Sequence, residues 1–449
     1  MNDRAKTIAE KVSENGGKAY FVGGYVRDQL LGRPNKDIDI EVHGIAAKQL
    51  FQLLEEIGTP VSFGASFGVY SLAGENIDIA LPRKEHAVGR GHKDFEIFVD
   101  PFVGTAEAAR RRDFTINSMM EDILSGEIID PFGGQEDLKN RVIRHIDDSS
   151  FVEDPLRVFR AAQFAARFDM TVDPKTIELC RNIDVSELSR ERVMDELKKA
   201  LLQAERPSVF FEVLREMDQL STWFPEVEQL IEIEQDPVFH PEGDVFVHTM
   251  EVLDRGASHR AEASNPLAFM LLCLTHDFGK ITTTEFTKGR IHAYGHETAG
   301  VPIAEEFLKR LTNEHAVTEY VLNMIPLHMK PNMKAYSKSS LKSTNKMFDE
   351  AIAPKDLIYF SMADKPVFSG SEAFSGDPDF LFERLKIYDD IMSKPYITGK
   401  DLIEAGYEPG EGFSGAMELA HKLRLAGIDK DTALKQVLAQ LRKYDKEHN

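Results

Sequence analysis

Apolar positions change period along this chain. In the first third they form short β-branched runs broken by glycine: Lys18 to Val22 and Ile38 to Val42 predict strands, with "YVRDQLLG" a short helix between them. The stretch "PVSFGASFGVYSLAGENIDIALPR" adds further strands of one small mixed sheet, and the charged N-terminal "MNDRAKTIAEKVSENGG" reads as an amphipathic helix. From about Phe151 the spacing lengthens to helical periods, as in "DPLRVFRAAQFAARF", "SRERVMDELKKALLQ" and "RPSVFFEVLREM". The expected class is α+β, a sheet-containing head followed by an all-helical remainder. "DPVFHPEG", Asp236 to Gly243, is rich in Pro and Gly and is read as the boundary between a helical neck and a second helical domain. No fixed-period repeat is visible.

Composition narrows the function classes. A chain of 449 residues can bury more than one core, and 42% hydrophobic with 29% charged residues fits a globular protein. The net charge of -21 is the wrong sign for a surface uniformly coated in nucleic-acid contacts, so a phosphate ligand must meet a local basic patch or a bound metal. The two cysteines, Cys180 and Cys273, sit among apolar or helical residues and read as reduced core positions of a cytoplasmic protein. "PLAFMLLCLTH" is too short to span a bilayer and the N-terminus has no signal-type apolar core, which argues against a membrane or secretory role.

The candidate chemistry starts with Gly23 and Gly24. Between strand and helix, residues without Cβ let backbone amides approach a phosphate. Asp37 and Asp39, two residues apart on the next strand, point to one face, where paired carboxylates can hold a divalent metal between an attacking hydroxyl and a phosphate. The glycines are not a G-x-G-x-x-G, and no Walker lysine follows. Further on, "RRRDFTIN" offers Arg111 and Arg112 to phosphates and Asp113 and Asn117 to a ribose. In "EDPLRVFR", Asp154 and Arg157 are spaced i,i+3, as an ion pair or as an acceptor and donor for a base. Cytosine and adenine present the matching donor-acceptor order; uracil and guanine would leave polar groups unmatched at about 1–3 kcal/mol each.

Together "GGYVRDQLLG", the Asp-x-Asp strand, "RRDFTINSMM", "GEIIDPFGGQEDLKNRVIRH", "EDPLRVFRAAQFAARF" and "SRERVMDELKKAL" resemble the bacterial-type (class II) tRNA CCA-adding nucleotidyltransferases and poly(A) polymerases over residues 18 to 230. The resemblance implies a nucleotidyltransferase head over 1–145 and a neck with a nucleotide-selecting helix over 146–235. It implies catalysis by Asp37 and Asp39 with Mg2+, and nucleotide contacts from Gly23, Gly24, Arg27, Arg111, Arg112, Asp113, Asn117, Asp154, Arg157 and Arg160. Glu153 belongs to the same motif as Asp154, Asp78 is a candidate third carboxylate, and Glu191, Arg192 and Glu196 of "ERVMDE" support the selecting helix. The implied activity is template-independent addition of C and/or A from CTP or ATP to the tRNA 3′ end, with release of pyrophosphate. The alternatives are an A-adding enzyme that needs a CC-adding partner, and a poly(A) polymerase. "PRKEHAVGRGHKDFEIFVDP", beginning near Arg83, resembles the loop that shifts specificity from C to A. "GASFGVYSL" stands where relatives often carry an "HGT"-like run, and the "GRRF"-like poly(A) polymerase signature is missing.

A second constellation lies downstream. His248, the adjacent His276 and Asp277, and Asp364 supply nitrogen and oxygen ligands for one metal, and His296 and His328 complete a second position. Their order resembles the HD phosphohydrolase superfamily and implies an HD-type helical domain over 236–385. That domain would bind a divalent metal of undefined identity and cleave phosphomonoesters or 2′,3′-cyclic phosphates. A helical tail over 386–449 follows, in which Gly406, Pro409, Gly410 and Gly412 read as turns. In the resembled enzymes tail helices help hold the tRNA acceptor region, whereas Lys435, Arg442 and Lys443 read equally as a solvated face. The reading of a different class is a regulatory or hydrolytic HD protein with an inactive transferase head. Oligomeric state is not legible.

Overall fold

The strand Lys18–Val22 (β1) is buried from Ala19 onward and sits inside a seven-stranded mixed sheet. Its partners are Ile38–His43 (β2), Pro60–Ser62 (β3), Val69–Leu72 (β4), Ile77–Ala80 (β5), Met120–Asp122 (β8) and Ile128–Ile129 (β9), in the order β3-β4-β5-β2-β1-β8-β9. Two further strands, Arg83–Ala87 (β6) and Phe95–Val99 (β7), form a separate antiparallel hairpin. All pairings in the large sheet are antiparallel except β2 with β5, whose parallel register sets Asp39 opposite Asp78.

This computed structural model describes residues 3–62, 68–87, 95–238, 240–287, 289–364 and 377–448. The chain divides into two compact units, Met1–Trp223 and Phe224–Asn449. Part of the stretch read as the specificity loop (88–94) and part of "GASFGVYSL" lie outside the described residues.

In the first unit the helix Leu156–Phe168 begins directly after Pro155 and ends where Asp169 turns left-handed. One side carries Val158, Phe159 and Ala162 into the core against the helices Arg190–Gln203 and Ser208–Glu216. The other carries Arg157, Arg160, Gln163 and Arg167. The N-terminal helix Asp3–Glu14 buries Ala5, Ile8, Ala9 and Val12 at helical spacing, as its pattern predicts.

The second unit is built around the helix Pro266–Thr275, every residue of which after Pro266 is buried. The tail helices Gly399–Glu404, Glu411–Leu425 and Lys430–His448 close on a small core of Ile397, Leu402, Ala416, Ala420, Ala433, Val437 and Leu441.

A mixed-sheet head followed by helices is what forms, and the helical remainder also carries short ladders, Thr171–Val172 with Val142–Ile143 of the head and Glu285–Thr287 with Arg290–His292. Each spans too few residues to show as a period. Gly412 lies inside a helix rather than a turn, and a Cβ there would come within 2.7 Å of the Tyr444 ring. No described helix is long and apolar enough to cross a membrane. Both cysteines are free and buried, and burial raises both thiols, Cys180 to about 12.

Phe159 is fully buried and stacks on Phe210 at 6.4 Å on the core side of the helix Leu156–Phe168. Phe159→Ala should cost the first unit about 3–5 kcal/mol, read as a lower urea midpoint; a change under about 1 kcal/mol would contradict this packing.

Candidate active site and metal cluster

At the start of the first site, Gly23 has φ +66, and a Cβ there would lie 2.8 Å from Arg112 Nη1. Only glycine combines that backbone conformation with so close an arginine. The chain then enters the short helix Gly24–Leu30, which buries Arg27 and Asp28. Arg27 donates to Asp28 Oδ1 and to Asn117 Oδ1 and lies over the Phe168 ring at 4.4 Å, so it is held from three sides.

Asp39 is the second residue of β2, and Asp37 lies just ahead of the strand. Desolvation raises the Asp39 carboxyl above its usual range; Arg112 pulls it down, while Asp78 and Asp37 push it up. Three carboxylates thus gather at this strand end. Hard oxygen donors that repel one another fit a cation of the Mg2+ class.

Glu41 continues the same face of β2, two residues on. It is 1% exposed, and its carboxylate meets His43 Nε2 at 2.9 Å, Arg111 Nη2 at 3.4 Å and Arg112 Nη2 at 3.5 Å. Burial alone would raise its carboxyl, but the His43 hydrogen bond and the two arginines bring it down to about 2.

A cavity of about 450 Å³ gathers Gly23, Gly24, Arg27, Asp39, Arg111, Arg112, Asp113, Asn117, Asp154, Arg157 and Arg160, together with Gln163, Phe164, Arg167 and Lys199. Asp37 does not line it. Asp113 is buried and fully engaged, accepting from Phe114 N and Asn117 Nδ2 on one oxygen and from the Arg160 guanidinium on the other. Of the two readings for Asp154 and Arg157, an ion pair with each other is not what forms among the described residues. Asp154 instead takes Arg192 Nη2, 3.0 Å from each carboxylate oxygen, while Arg157 donates to the carbonyls of Ser150 and Arg111. Asp154 precedes the helix rather than sharing its face, which leaves its carboxylate to the neighbouring helix Arg190–Gln203. Arg192 therefore orients Asp154, and Glu196 is buried beside Lys199.

The second site lies in the Phe224–Asn449 unit, where the ligand atoms of His248, His276 and Asp364 fall within 4.8 Å of one another, as do those of Asp277, His296 and His328. Helix Val245–Ala257 supplies His248, the end of Pro266–Thr275 supplies His276 and Asp277, and His296 opens the helix His296–Leu311. Gly279 makes that approach: a Cβ there would lie 1.9 Å from the His296 carbonyl.

Three of these histidines share one device. His276, His296 and His328 each donate Nδ1–H to the carbonyl three residues earlier, at 3.0, 2.8 and 2.6 Å. That bond turns each Nε2 lone pair inward: His296 and His328 Nε2 stand 3.2 Å apart, and the buried His276 Nε2, 3.3 Å from Asp277 Oδ2, has no hydrogen-bond partner among the described residues. Converging imidazole lone pairs beside Asp277 and Asp364 fit a divalent metal. Burial pushes the His328 imidazole down to about 4, helped by neighbouring His276. His248 goes the other way: burial lowers it, but bonds to Asp364 Oδ1 and Glu242 Oε1 raise it to about 9.

Comparison with known proteins follows these parts. The family model described as poly A polymerase head domain matches residues 19–144, the one described as a probable RNA and SrmB-binding site of polymerase A matches 169–231, and the HD domain matches 245–365. The multifunctional CCA protein of Aromatoleum aromaticum is 40% identical over 299 residues, 66% of this chain and 70% of that one. That of Cupriavidus metallidurans is 41% identical over 305 residues, again 66% and 70%. The chain belongs to the multifunctional CCA protein family.

Solved structures share the fold of this CCA protein family member. The Thermotoga maritima CCA-adding enzyme complexed with tRNA superposes with a TM-score of 0.64 at 23% identity, covering 97% of this chain and 94% of that one. A CCA-adding enzyme in complex with ATP gives 0.65 at 24%, covering 98% and 93%.

Several residues of the two sites escape sequence reasoning. Glu41 had a signal, since it extends the alternation of Asp37 and Asp39, and Gln163 repeats the i,i+3 step from Arg160. Glu242 sits in a connecting segment with no period. Its Oε1 takes both His240 Nδ1 at 3.0 Å and His248 Nδ1 at 2.7 Å.

Two measurements check this electrostatic picture. Glu41 titrates lower folded than unfolded, so its contribution is complete above pH 4.5 and is lost as pH falls toward 2. Glu41→Gln should flatten the acid limb of urea stability across that window; a limb as steep as wild type would contradict the pairing. Glu242→Gln should weaken Co2+ binding about 10–100-fold, followed by the visible absorption of histidine-bound cobalt, because His248 loses the carboxylate that orients it. Unchanged cobalt affinity would remove Glu242 from the metal site.

Proposed function

We propose that the N-terminal unit adds C and A from CTP and ATP to the 3′ end of tRNA without a nucleic-acid template, and that the HD region hydrolyses phosphoesters. One observation carries the first part: Asp39, with Asp37 and Asp78 beside it, borders a cavity that also carries Arg111, Arg112, Asp154 and Arg157. The curated relatives named multifunctional CCA proteins support the full C-and-A reading over an A-adding enzyme with a CC-adding partner. We divide the roles as head 1–145, neck 146–235, HD-type domain 236–385 and tail 386–449, in a cytoplasmic enzyme.

In this reading the tRNA 3′ hydroxyl loses its proton to water, and its oxygen bonds to the α-phosphorus as the bond to pyrophosphate breaks. A divalent cation, magnesium by the hardness of its donors, would be held by Asp39 with Asp37; when bound it stabilises charge on the phosphates as a Lewis acid. Arg111 and Arg112 meet the triphosphate, and Glu41 holds both guanidinium groups in place beforehand, so little reorganisation is needed when the nucleotide arrives. The Gly23 turn keeps the backbone clear of Arg112. Asp154 accepts from the exocyclic amine of cytosine or adenine and Arg157 donates to the adjacent ring nitrogen. The carbonyls that now hold Arg157 and the guanidinium that holds Asp154 fix the reading edge. A protein edge fixed in this way takes the place of a template strand.

For the HD region, the convergent Nε2 atoms support metal-assisted hydrolysis. His276, His296, His328 and His248 with Asp277 and Asp364 would hold the ion, which activates water when bound. The adjoining cavity of about 570 Å³, bordered by Lys280 and Arg290, can admit a phosphoester.

The test offers purified protein tRNA ending before CCA, after C, or after CC, with each nucleotide separately in Mg2+. CTP should extend the first two and ATP the third, with UTP and GTP rejected. Asp39→Asn should lower the rate by at least about a thousandfold, several kcal/mol of barrier. Extension by ATP alone, and only after CC, would instead identify an A-adding enzyme, and long homopolymers a poly(A) polymerase. Full transfer by Asp39→Asn would remove Asp39 from the chemistry, and no transfer by wild type would leave the head a binding module.

A further inference from the structure

A phosphoester that reaches the histidine cluster of the second unit brings negative charge, and two basic residues border the cavity there, Arg290 and Lys280. Arg290 is exposed at the start of its strand. Lys280 is 8% exposed, and its Nζ stands 2.7 Å from Asp277 Oδ2 and 2.7 Å from Gln235 Oε1. Beside a metal position an ammonium is an odd choice, because it repels the cation that the histidines converge to hold. Its presence makes sense if it serves the anion instead.

The donor count supports that use. An ammonium carries three N–H groups and no acceptor. Asp277 and Gln235 take two, and no third side-chain partner is present among the described residues. The remaining N–H belongs to a group that lines the cavity. A phosphate oxygen suits it, since an ammonium meets phosphate as a point charge and the bond is charge-assisted.

Gln235 governs where that donor goes. It is buried, and its Nε2 donates to the Gly243 carbonyl at 3.3 Å while its Oε1 accepts from Lys280. The carbonyl can only accept and the ammonium can only donate, so the amide cannot be turned round without breaking both bonds. Gln235 directly precedes the Pro/Gly-rich stretch read from sequence as a domain boundary. That boundary also serves the site: Gln235 holds Lys280 from one end, and Glu242, near the other, holds His248 Nδ1 at 2.7 Å.

We propose that Lys280 donates its third N–H to a phosphate oxygen of the phosphoester at the HD site, and that Gln235 is the positioning residue that aims it there. The inference rests on the hydrolase reading of this cavity and adds the group that meets the anion.

The experiment titrates inorganic phosphate into the Co2+-loaded full-length protein, followed by the visible absorption of histidine-bound cobalt, for wild type, Lys280→Met, Gln235→Leu and Gln235→Glu. Co2+ affinity is measured for each in the same way, and hydrolysis of p-nitrophenyl phosphate alongside. Lys280→Met should weaken phosphate binding about tenfold or more, the worth of one charge-assisted hydrogen bond, while Co2+ affinity holds or tightens because a positive neighbour is gone. Gln235→Leu should weaken phosphate in the same direction with Co2+ affinity within about twofold, and Gln235→Glu, which keeps an acceptor for the ammonium, should restore most of it. Gln235→Leu also carries the test if Lys280→Met folds poorly. If Lys280 merely braces Asp277, the opposite pattern appears: Co2+ affinity falls in Lys280→Met and phosphate affinity at saturating cobalt stays. That pattern, or phosphate affinity unchanged in Gln235→Leu, would overturn the assignment while hydrolysis by wild type kept the hydrolase reading. Phosphate binding that responds as expected in a protein that hydrolyses no phosphoester would remove that reading and leave the contact standing.

Discussion

The head depends on keeping like charges side by side. Parallel pairing of β2 with β5 sets Asp39 opposite Asp78, and Asp37 precedes the same strand, an arrangement that costs free energy in an empty site and raises the Asp39 carboxyl. What makes it tolerable is the basic wall opposite: Arg112 pulls Asp39 back toward the charged form, and Glu41 anchors Arg112 and Arg111 from below. Acid and base are thus held close without neutralising one another. In the proposed reading a triphosphate with its cation satisfies both sets at once.

The HD cluster solves a similar problem with neutral groups. Backbone carbonyls three residues upstream fix the tautomers of His276, His296 and His328, so that the lone pairs converge beside Asp277. His248 differs in that both of its nitrogens bond to carboxylates, Glu242 on one and Asp364 on the other. Burial matters in both sites. In the first it strengthens the pull between Glu41 and the arginines, and in the second it holds His328 neutral, the form that offers a lone pair to a metal.

Much of this was legible in the sequence, for identifiable reasons. The period change near Phe151 located the switch from sheet to helix, and the spacing of Gly23, Gly24 and the aspartates marked the strand end around which the first cavity forms. Side-chain partners were less legible, because pairing depends on which element lies alongside. Spacing left Asp154 and Arg157 open as an ion pair or a base-reading pair, whereas Asp154 lies ahead of the helix and Arg192 arrives from a neighbouring one. Asp113 likewise takes Arg160 from a helix that its own spacing does not place beside it. The two-residue ladder of Val142–Ile143 with Thr171–Val172 is too short to leave a periodic trace.

The most direct check on the central claim is a crystal structure of the wild-type protein with CTP and Mn2+, with the metal located by its anomalous scattering. The account expects a manganese peak at ligand distance from the Asp39 carboxylate, with the triphosphate against Arg111 and Arg112 and the cytosine edge toward Asp154 and Arg157. Manganese bound only among the histidines of the second unit, with CTP outside the arginine-lined cavity, would contradict it.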